Sequence, residues 1–251
     1  MDIGTRIRIL LSLLLISQLA AAVSAGDVVE VWDHYNVTIR TDSETARIIE
    51  ELTIKNVIDK PVVPGYGYIS LSRDQGPTYL GLSLPFNKEE PKALKVRDVS
   101  ARLDDGSLIT DVLVTEEEDG TTVRYGFWTP IMPGQSRTII IEYTSDDIVD
   151  KGLLFDRISY TVQPSSIPIE NARIQADLGG DRHISYSSVP PASVGDRVTW
   201  ERSGLKNEAW QLDFEYSALP LPHSPVHWAD MSLGLLFGII GLWSYRQWKV
   251  R

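Results

Sequence analysis

The residues best able to do chemistry in this chain are four histidines and several paired carboxylates, and their spacing does not bring them together. His223 and His227 stand four apart, the helical spacing of two ligands on one metal, but Pro225 lies between them and breaks a helix there. His34 falls on the polar side of an alternating segment, and His183 falls at a strand start. Asp104/Asp105 and Asp146/Asp147 carry the oxygens a calcium ion takes, yet both pairs sit in turn sequences where aspartate has a local structural role. Glu116-Glu117-Glu118-Asp119 reads as a solvated hairpin tip. There is no G-x-S-x-G, no H-E-x-x-H, no P-loop and no cysteine nucleophile. The sequence therefore predicts no catalytic, cofactor-binding or metal-ligating residue, no cofactor, and a protein that is not an enzyme.

Two other features bear on binding. Asn36-Val37-Thr38 is an N-glycosylation acceptor, and alternation places Asn36 on the polar face where a glycan could sit. Between Pro61 and Pro91, Tyr66, Tyr68, Tyr79 and Phe86 are set on a Gly/Pro framework. Tyrosine and phenylalanine in such a setting offer broad contact area at low entropic cost, which makes these four the partner-binding candidates. The competing reading is an inner strand over Tyr66–Leu71 followed by a long crossover whose aromatics plug a core.

The elements that must position these residues are strands. Val29, Val31, Tyr35, Val37 and Ile39 alternate with Glu30, Trp32, His34, Asn36, Thr38 and Arg40. Ala46, Ile48, Leu52 and Ile54 repeat the period of two. So do Val123/Tyr125/Phe127, Ile139/Ile141/Tyr143, Ala172/Ile174/Ala176/Leu178 and Trp210/Leu212/Phe214/Tyr216. One apolar face and one wet face predict an all-β, antiparallel β-sandwich. Turn sequences punctuate the strands at Asp104-Asp105-Gly106-Ser107, at Gly179-Gly180 and at Met132-Pro133-Gly134-Gln135, the last with Pro then Gly at the centre of a type II turn. A charged interruption near Asp146–Gly152 divides the region into a first sandwich over 26–147 and a smaller one over 152–218. Leu219-Pro220-Leu221-Pro222-His223-Ser224-Pro225 predicts a semi-extended stalk, 219–227.

Both ends are apolar. Arg6 and Arg8, the run Ile7–Leu19 and Val23-Ser24-Ala25 have the three parts of a secretory signal, residues 1–25, cleaved after Ala25. At the other end, Met231–Tyr245 is uncharged, with Trp228, Trp243 and Trp248 at the margins and Arg246, Lys249 and Arg251 behind. This predicts a transmembrane helix over 228–248 and a cytoplasmic tail, 249–251, by the positive-inside rule. The localisation expected is a single-pass protein of the cell membrane with its ectodomain outside. Gly234, Gly238 and Gly241 would strip one stripe of the helix of side chains, the candidates for helix packing and a helix-mediated homo-oligomer. The chain has a formal net charge of −10 and no cysteine, so the ectodomain's stability must come from its core, and nucleic acid is excluded as a partner. Membrane lipid is the partner expected of the C-terminal helix; the protein or glycan partner of the ectodomain is left unnamed.

The loop Asn56-Val57-Ile58-Asp59-Lys60-Pro61, a strand ending Ser70-Leu71, and Pro133-Gly134-Gln135-Ser136 before Thr138–Tyr143 resemble archaeal single-pass surface proteins with a β-sandwich ectodomain. The same order over 28–218 is similar to the luminal region of ribophorin I, a non-catalytic oligosaccharyltransferase subunit. That resemblance implies a scaffold or substrate-holding role with no catalytic residues to carry over. The C-terminus resembles archaeal sortase-processed tails but lacks their Pro-Gly-Phe. The leading expectation is a membrane-anchored extracytoplasmic module that binds or scaffolds a partner. The alternatives are an enzyme or accessory subunit acting on cell-surface glycan, and a structural envelope component.

Overall fold

The computed structural model describes residues 28–41, 45–75, 78–79, 82–83, 90–152, 154–224 and 226–249. The expected signal segment, 1–25, lies outside the described residues, as does Phe86. In chain order the strands are β1 Glu30–Thr41, β2 Ala46–Asn56, β3 Gly65–Gln75, β4 Thr78–Tyr79, β5 Leu82–Ser83, β6 Glu90–Ala93, β7 Val96–Leu103, β8 Val112–Glu116 and β9 Thr121–Phe127. They continue with β10 Ser136–Ser145, β11 Val149–Asp150, β12 Asp156–Val162, β13 Ile169–Asp177, β14 His183–Ser187, β15 Ser193–Val194, β16 Val198–Leu205 and β17 Trp210–Ser217, before helix α1 Trp228–Lys249.

One broad sheet runs β15-β16-β13-β1-β2-β10-β7, and two narrow sheets run β11-β12-β17-β14 and β6-β3-β9-β8. A single cluster of buried residues draws on all three, so the two narrow sheets share the inner face of the broad one. The alternation that makes the strands also fills this core. β2 turns Ala46, Ile48, Leu52 and Ile54 inward, and β17 stacks Phe214 against Trp200 of β16 at 5.0 Å.

The fold departs from the purely antiparallel sandwich that the sequence predicts. β1 pairs with β13 in parallel, Trp32 opposite Ile169 through Arg40 opposite Asp177. This pairing joins strands from either side of Asp146–Gly152, so that stretch does not separate two sheets. The chain crosses from β12, in a narrow sheet, to β13 beside β1, and such a crossover is what a parallel pair requires.

A register shift between Trp32 and His34 corrects the face assigned to Trp32. Asp33 is an extra residue opposite β2, a β-bulge, so Trp32 turns inward with Tyr35 and is 8% exposed.

The C-terminal helix also differs from expectation. Among the described residues no helix is long and apolar enough to cross a membrane, which overturns the predicted transmembrane helix and single-pass topology. The uncharged stretch Met231–Tyr245 rises only about 22 Å against a hydrocarbon core of ~30 Å. Asp230 and Arg246 bound it, and glycine, serine and tyrosine dilute its hydropathy. Leu235, Phe237, Ile239, Leu242 and Trp243 are exposed, and around Gly234, Gly238 and Gly241 there is open space.

The segment before the helix is not a free stalk. Ser224 N–H donates to Ser185 O at 2.9 Å, and Trp228 Nε1 donates to Pro222 O at 3.0 Å. His227, at the end of the expected stalk, stacks on Tyr186 at 3.7 Å and lies 2.6 Å from Glu215 Oε1. Glu215 Oε2 also accepts the Trp228 N–H at 3.1 Å, so a buried strand carboxylate caps the helix start.

Candidate functional site

Tyr66 and Tyr68 lie on β3, and alternation decides which way they point. Ile69 and Leu71 turn into the core, while Tyr66, Tyr68 and Ser70 turn out, with the two tyrosines 43% and 63% exposed. Opposite them on β9 are Gly126 and Arg124, and beyond Arg124 on β8 is Leu113, 49% exposed. Trp128, 56% exposed, meets Tyr66 edge to face at 5.0 Å, and the Arg124 guanidinium lies 4.4 Å from the Tyr66 ring centre. Arg124 also reaches Asp111 at 3.5 Å. Together these side chains form an open aromatic platform on the outer face of the β3–β9–β8 sheet.

Two glycines make the platform's backbone possible. A Cβ on Gly67 would lie 2.2 Å from the Tyr125 ring, which crosses directly over it from β9. A Cβ on Gly126 would lie 2.6 Å from the Asp111 carboxylate and 2.8 Å from Trp128 Nε1. The missing side chains thus let one aromatic ring pack inside the sheet and another fold over it outside.

Beside the platform, where β3 approaches β12 and the segment 163–167, is a pocket of about 260 Å³. Trp32, Tyr35 and Leu52 of the broad sheet form its floor, and Tyr68, Tyr160 and Gln163 stand around it. Gln163 Nε2 donates to Ser72 Oγ at 3.4 Å and closes one end of this seam. No residue lining the pocket carries a charge.

Beneath the floor lies the molecule's most unusual polar group. Glu50 is fully buried on β2. Its Oε2 accepts the Tyr35 hydroxyl at 2.9 Å, and its Oε1 accepts the hydroxyls of Tyr143 at 2.8 Å and Tyr160 at 2.9 Å. Burial pushes the carboxyl's pKa above the ordinary glutamate range, and the three tyrosine hydrogen bonds pull against that shift. Burial, followed by the nearby Glu50 charge, holds all three tyrosines well above the usual phenol value. With all three hydroxyls bonded to the carboxyl, the cluster is a satisfied polar node that fixes the pocket's floor.

The other sequence candidates lie elsewhere. Asn36 is on the outer face of the broad sheet, beside a shallow depression shared with His34, Asn171 and Arg173. The main chain of Tyr79 belongs to the small β4–β5 ribbon. Gly234, Gly238 and Gly241 are on α1, which carries none of the platform. Among the described residues no group of three or more histidines or carboxylates is placed to hold a metal ion.

Sequence reasoning missed Trp128, Arg124 and Leu113, although the inward set Val123, Tyr125 and Phe127 implies that 124, 126 and 128 face out. It also missed Glu50, which occupies the inward position between Ile48 and Leu52.

Fold and site together define a β-sandwich of one broad sheet against two narrow ones, with an aromatic platform and a small uncharged pocket at the seam. No protein-family model matches the chain. The uncharacterized protein MJ1395 of Methanocaldococcus jannaschii is 34% identical over 122 residues, which cover 80% of that protein and 47% of this chain. The chain belongs to the same family as that archaeal protein.

Among solved structures, a putative nutrient binding protein of Legionella pneumophila is 12% identical with a TM-score of 0.44, over 75% of this chain and 67% of that one. An M1 zinc metallopeptidase of Deinococcus radiodurans is 11% identical with a TM-score of 0.36, over 75% of this chain and 42% of that one. Yeast LTA4 hydrolase is 8% identical with a TM-score of 0.41, over 74% of this chain and 28% of that one. At such scores these likenesses carry no argument about function.

Proposed function

We propose that this protein is an extracytoplasmic binding or scaffold module that engages its partner through Tyr66, Tyr68 and Trp128. The observation carrying this reading is the exposure of three large aromatic rings, two on β3 and one just past the end of β9, next to a pocket without a charged group. Exposed aromatic clusters of this kind are where binding energy concentrates at interfaces, and Arg124 beside Tyr66 adds the side-chain type most often found with them. Tyr66 and Tyr68 are held on β3, and Trp128 directly follows β9 and packs over Gly126, so little ordering cost remains to be met on binding. The basic, apolar and small-residue pattern of residues 1–25 supports the extracytoplasmic address.

The test is comparative purification. Gentle extraction of wild-type protein and of Tyr68→Ala/Trp128→Ala should give the same folded module by circular dichroism. A partner that co-purifies with wild type should fall at least about tenfold with the variant, as expected for removing two central aromatics. An identical set of co-purifying species from both would refute the platform's role.

A further inference from the structure

β3 is paired on only one side for most of its length. β9 pairs with it from Gly65 to Leu71, and β6 begins only at Ser72. Which backbone groups this leaves open follows from parity. The Gly126 N–H donates to Asp111 O, so Gly126 faces β8, and the residue opposite it on β3, Tyr66, must turn its own N–H and C=O away from β9. The same holds two residues on for Tyr68, and again for Ser70. Their main-chain groups point into the seam, towards the segment 163–167, and among the described residues no strand pairs with them.

The facing edge is open as well. β11 covers β12 only at Arg157 and Ile158, and among the described residues no strand pairs with Ser159–Val162 on that side.

Exposed strand edges are ordinarily blunted by lysine, proline or inward-pointing charge. From Gly65 to Ser72 β3 has none of these: Gly65-Tyr66-Gly67-Tyr68-Ile69-Ser70-Leu71-Ser72 is uncharged throughout. In a chain this acidic, the uncharged lining of the adjoining pocket selects a neutral occupant. At about 260 Å³ the pocket is below the usual range for a whole organic ligand and suits one side chain of something larger lying along the edge.

The geometry points to strand addition: an uncharged, extended segment of a partner protein pairs with Tyr66, Tyr68 and Ser70 and seats one apolar side chain over Trp32 and Leu52. This deepens the binding-module reading above and rests on it. The closed end at Gln163–Ser72 sets a stop, so the segment enters from the Tyr66 side. The main chain supplies the affinity, and the aromatic platform grips whatever continues past the edge.

The probe is a blocked, fluorescein-labelled hexapeptide of alternating threonine and valine, used with the intact protein alongside a copy N-methylated at every second residue. Ser70→Pro removes one seam-facing N–H without removing a bond to β9, and Ser70→Ala is its side-chain control. The unmodified peptide should slow amide exchange at Tyr66, Tyr68 and Ser70. Its binding should be unchanged in Ser70→Ala and about tenfold weaker in Ser70→Pro, the size expected for one main-chain hydrogen bond. The N-methylated copy should fail on wild-type protein, a readout that does not depend on how Ser70→Pro folds.

Unchanged exchange at those three amides with millimolar peptide, or equal binding of both peptides, overturns strand addition. Loss of binding in Tyr68→Ala with none in Ser70→Pro also overturns it while leaving the platform standing; indifference to both variants sinks the two readings together.

Discussion

Glu50 shows how one residue can set the properties of a pocket it never lines. Its carboxylate satisfies three buried hydroxyls, two of which belong to pocket residues Tyr35 and Tyr160. Because burial raises its pKa, the native state binds the Glu50 proton more tightly than the unfolded chain does. Its contribution to stability is therefore greatest below the ordinary glutamate value, about 4.3, and is lost as pH rises from there through the raised native value. Glu50→Gln should abolish that slope: the stability difference between wild type and variant, measured by denaturant titration from pH 4 to 8, should change steadily in the variant's favour. A pH-independent difference would show that Glu50 titrates like a surface group. Glu50→Leu removes the acceptor altogether and leaves three hydroxyls stranded, at roughly 1–3 kcal/mol for each that finds no new partner. Gly67→Ala tests the neighbouring layer. Its new Cβ meets the Tyr125 ring, and the overpacking should cost about 1–3 kcal/mol in the same titration.

At the scale of elements, period-two alternation disclosed β1, β2, β9, β10, β13 and β17, because burial on one face leaves a direct mark on residue type, but it passed over β7, β12, β14 and β16, which also fill the core. It marked position 50 as inward too, and only the assumption that a carboxylate belongs outside hid it. Other features leave no such mark. The bulge at Asp33 depends on how β1 registers with β2, so the inward turn of Trp32 could not be read from β1 alone. The segment 219–227 has the prolines of a free stalk, yet Glu215, on the strand β17 that leads into it, holds its far end down through His227 and the Trp228 N–H. Asp213, next to it in this cluster, is held by Arg157 through two hydrogen bonds of 2.6 and 2.5 Å. Replacing Glu215 with alanine should free the segment: amide exchange at residues 224–228 should accelerate and proteolysis before the helix should increase, with the sheets still protected. Unchanged exchange would show that the backbone contact between Ser224 and Ser185 is sufficient.

The molecule as a whole depends on pairings that no local pattern contains. Alternation says which face of a strand is buried but not which strand lies beside it, so two successive sandwiches and one interleaved sandwich look alike in sequence. The parallel contact between β1 and β13 joins residues such as Val37 and Ile174 across more than half the chain and places strands of both halves in one sheet. Beside that contact, Trp200 of the broad sheet meets Phe214 of the covering narrow sheet, both from the second half, in the core shared with strands of the first. Two consequences are measurable. Phe214→Ala, at a fully buried position against Trp200 and Tyr216, should destabilise the entire module by about 3–5 kcal/mol in one cooperative transition. A fragment ending at Asp147 should not fold by itself. It would keep β1, β2, β10 and β7 but lose the strand beside β1 and the narrow sheet that covers Tyr35, Val37 and Ile39, leaving a long apolar edge and a half-bare face. Such a fragment should aggregate or give the poorly dispersed amide spectrum of an unfolded chain. A sharp, reversible melt from residues 26–147 would establish instead that the first half is an independent domain and that the β1–β13 pairing merely docks the second half onto it.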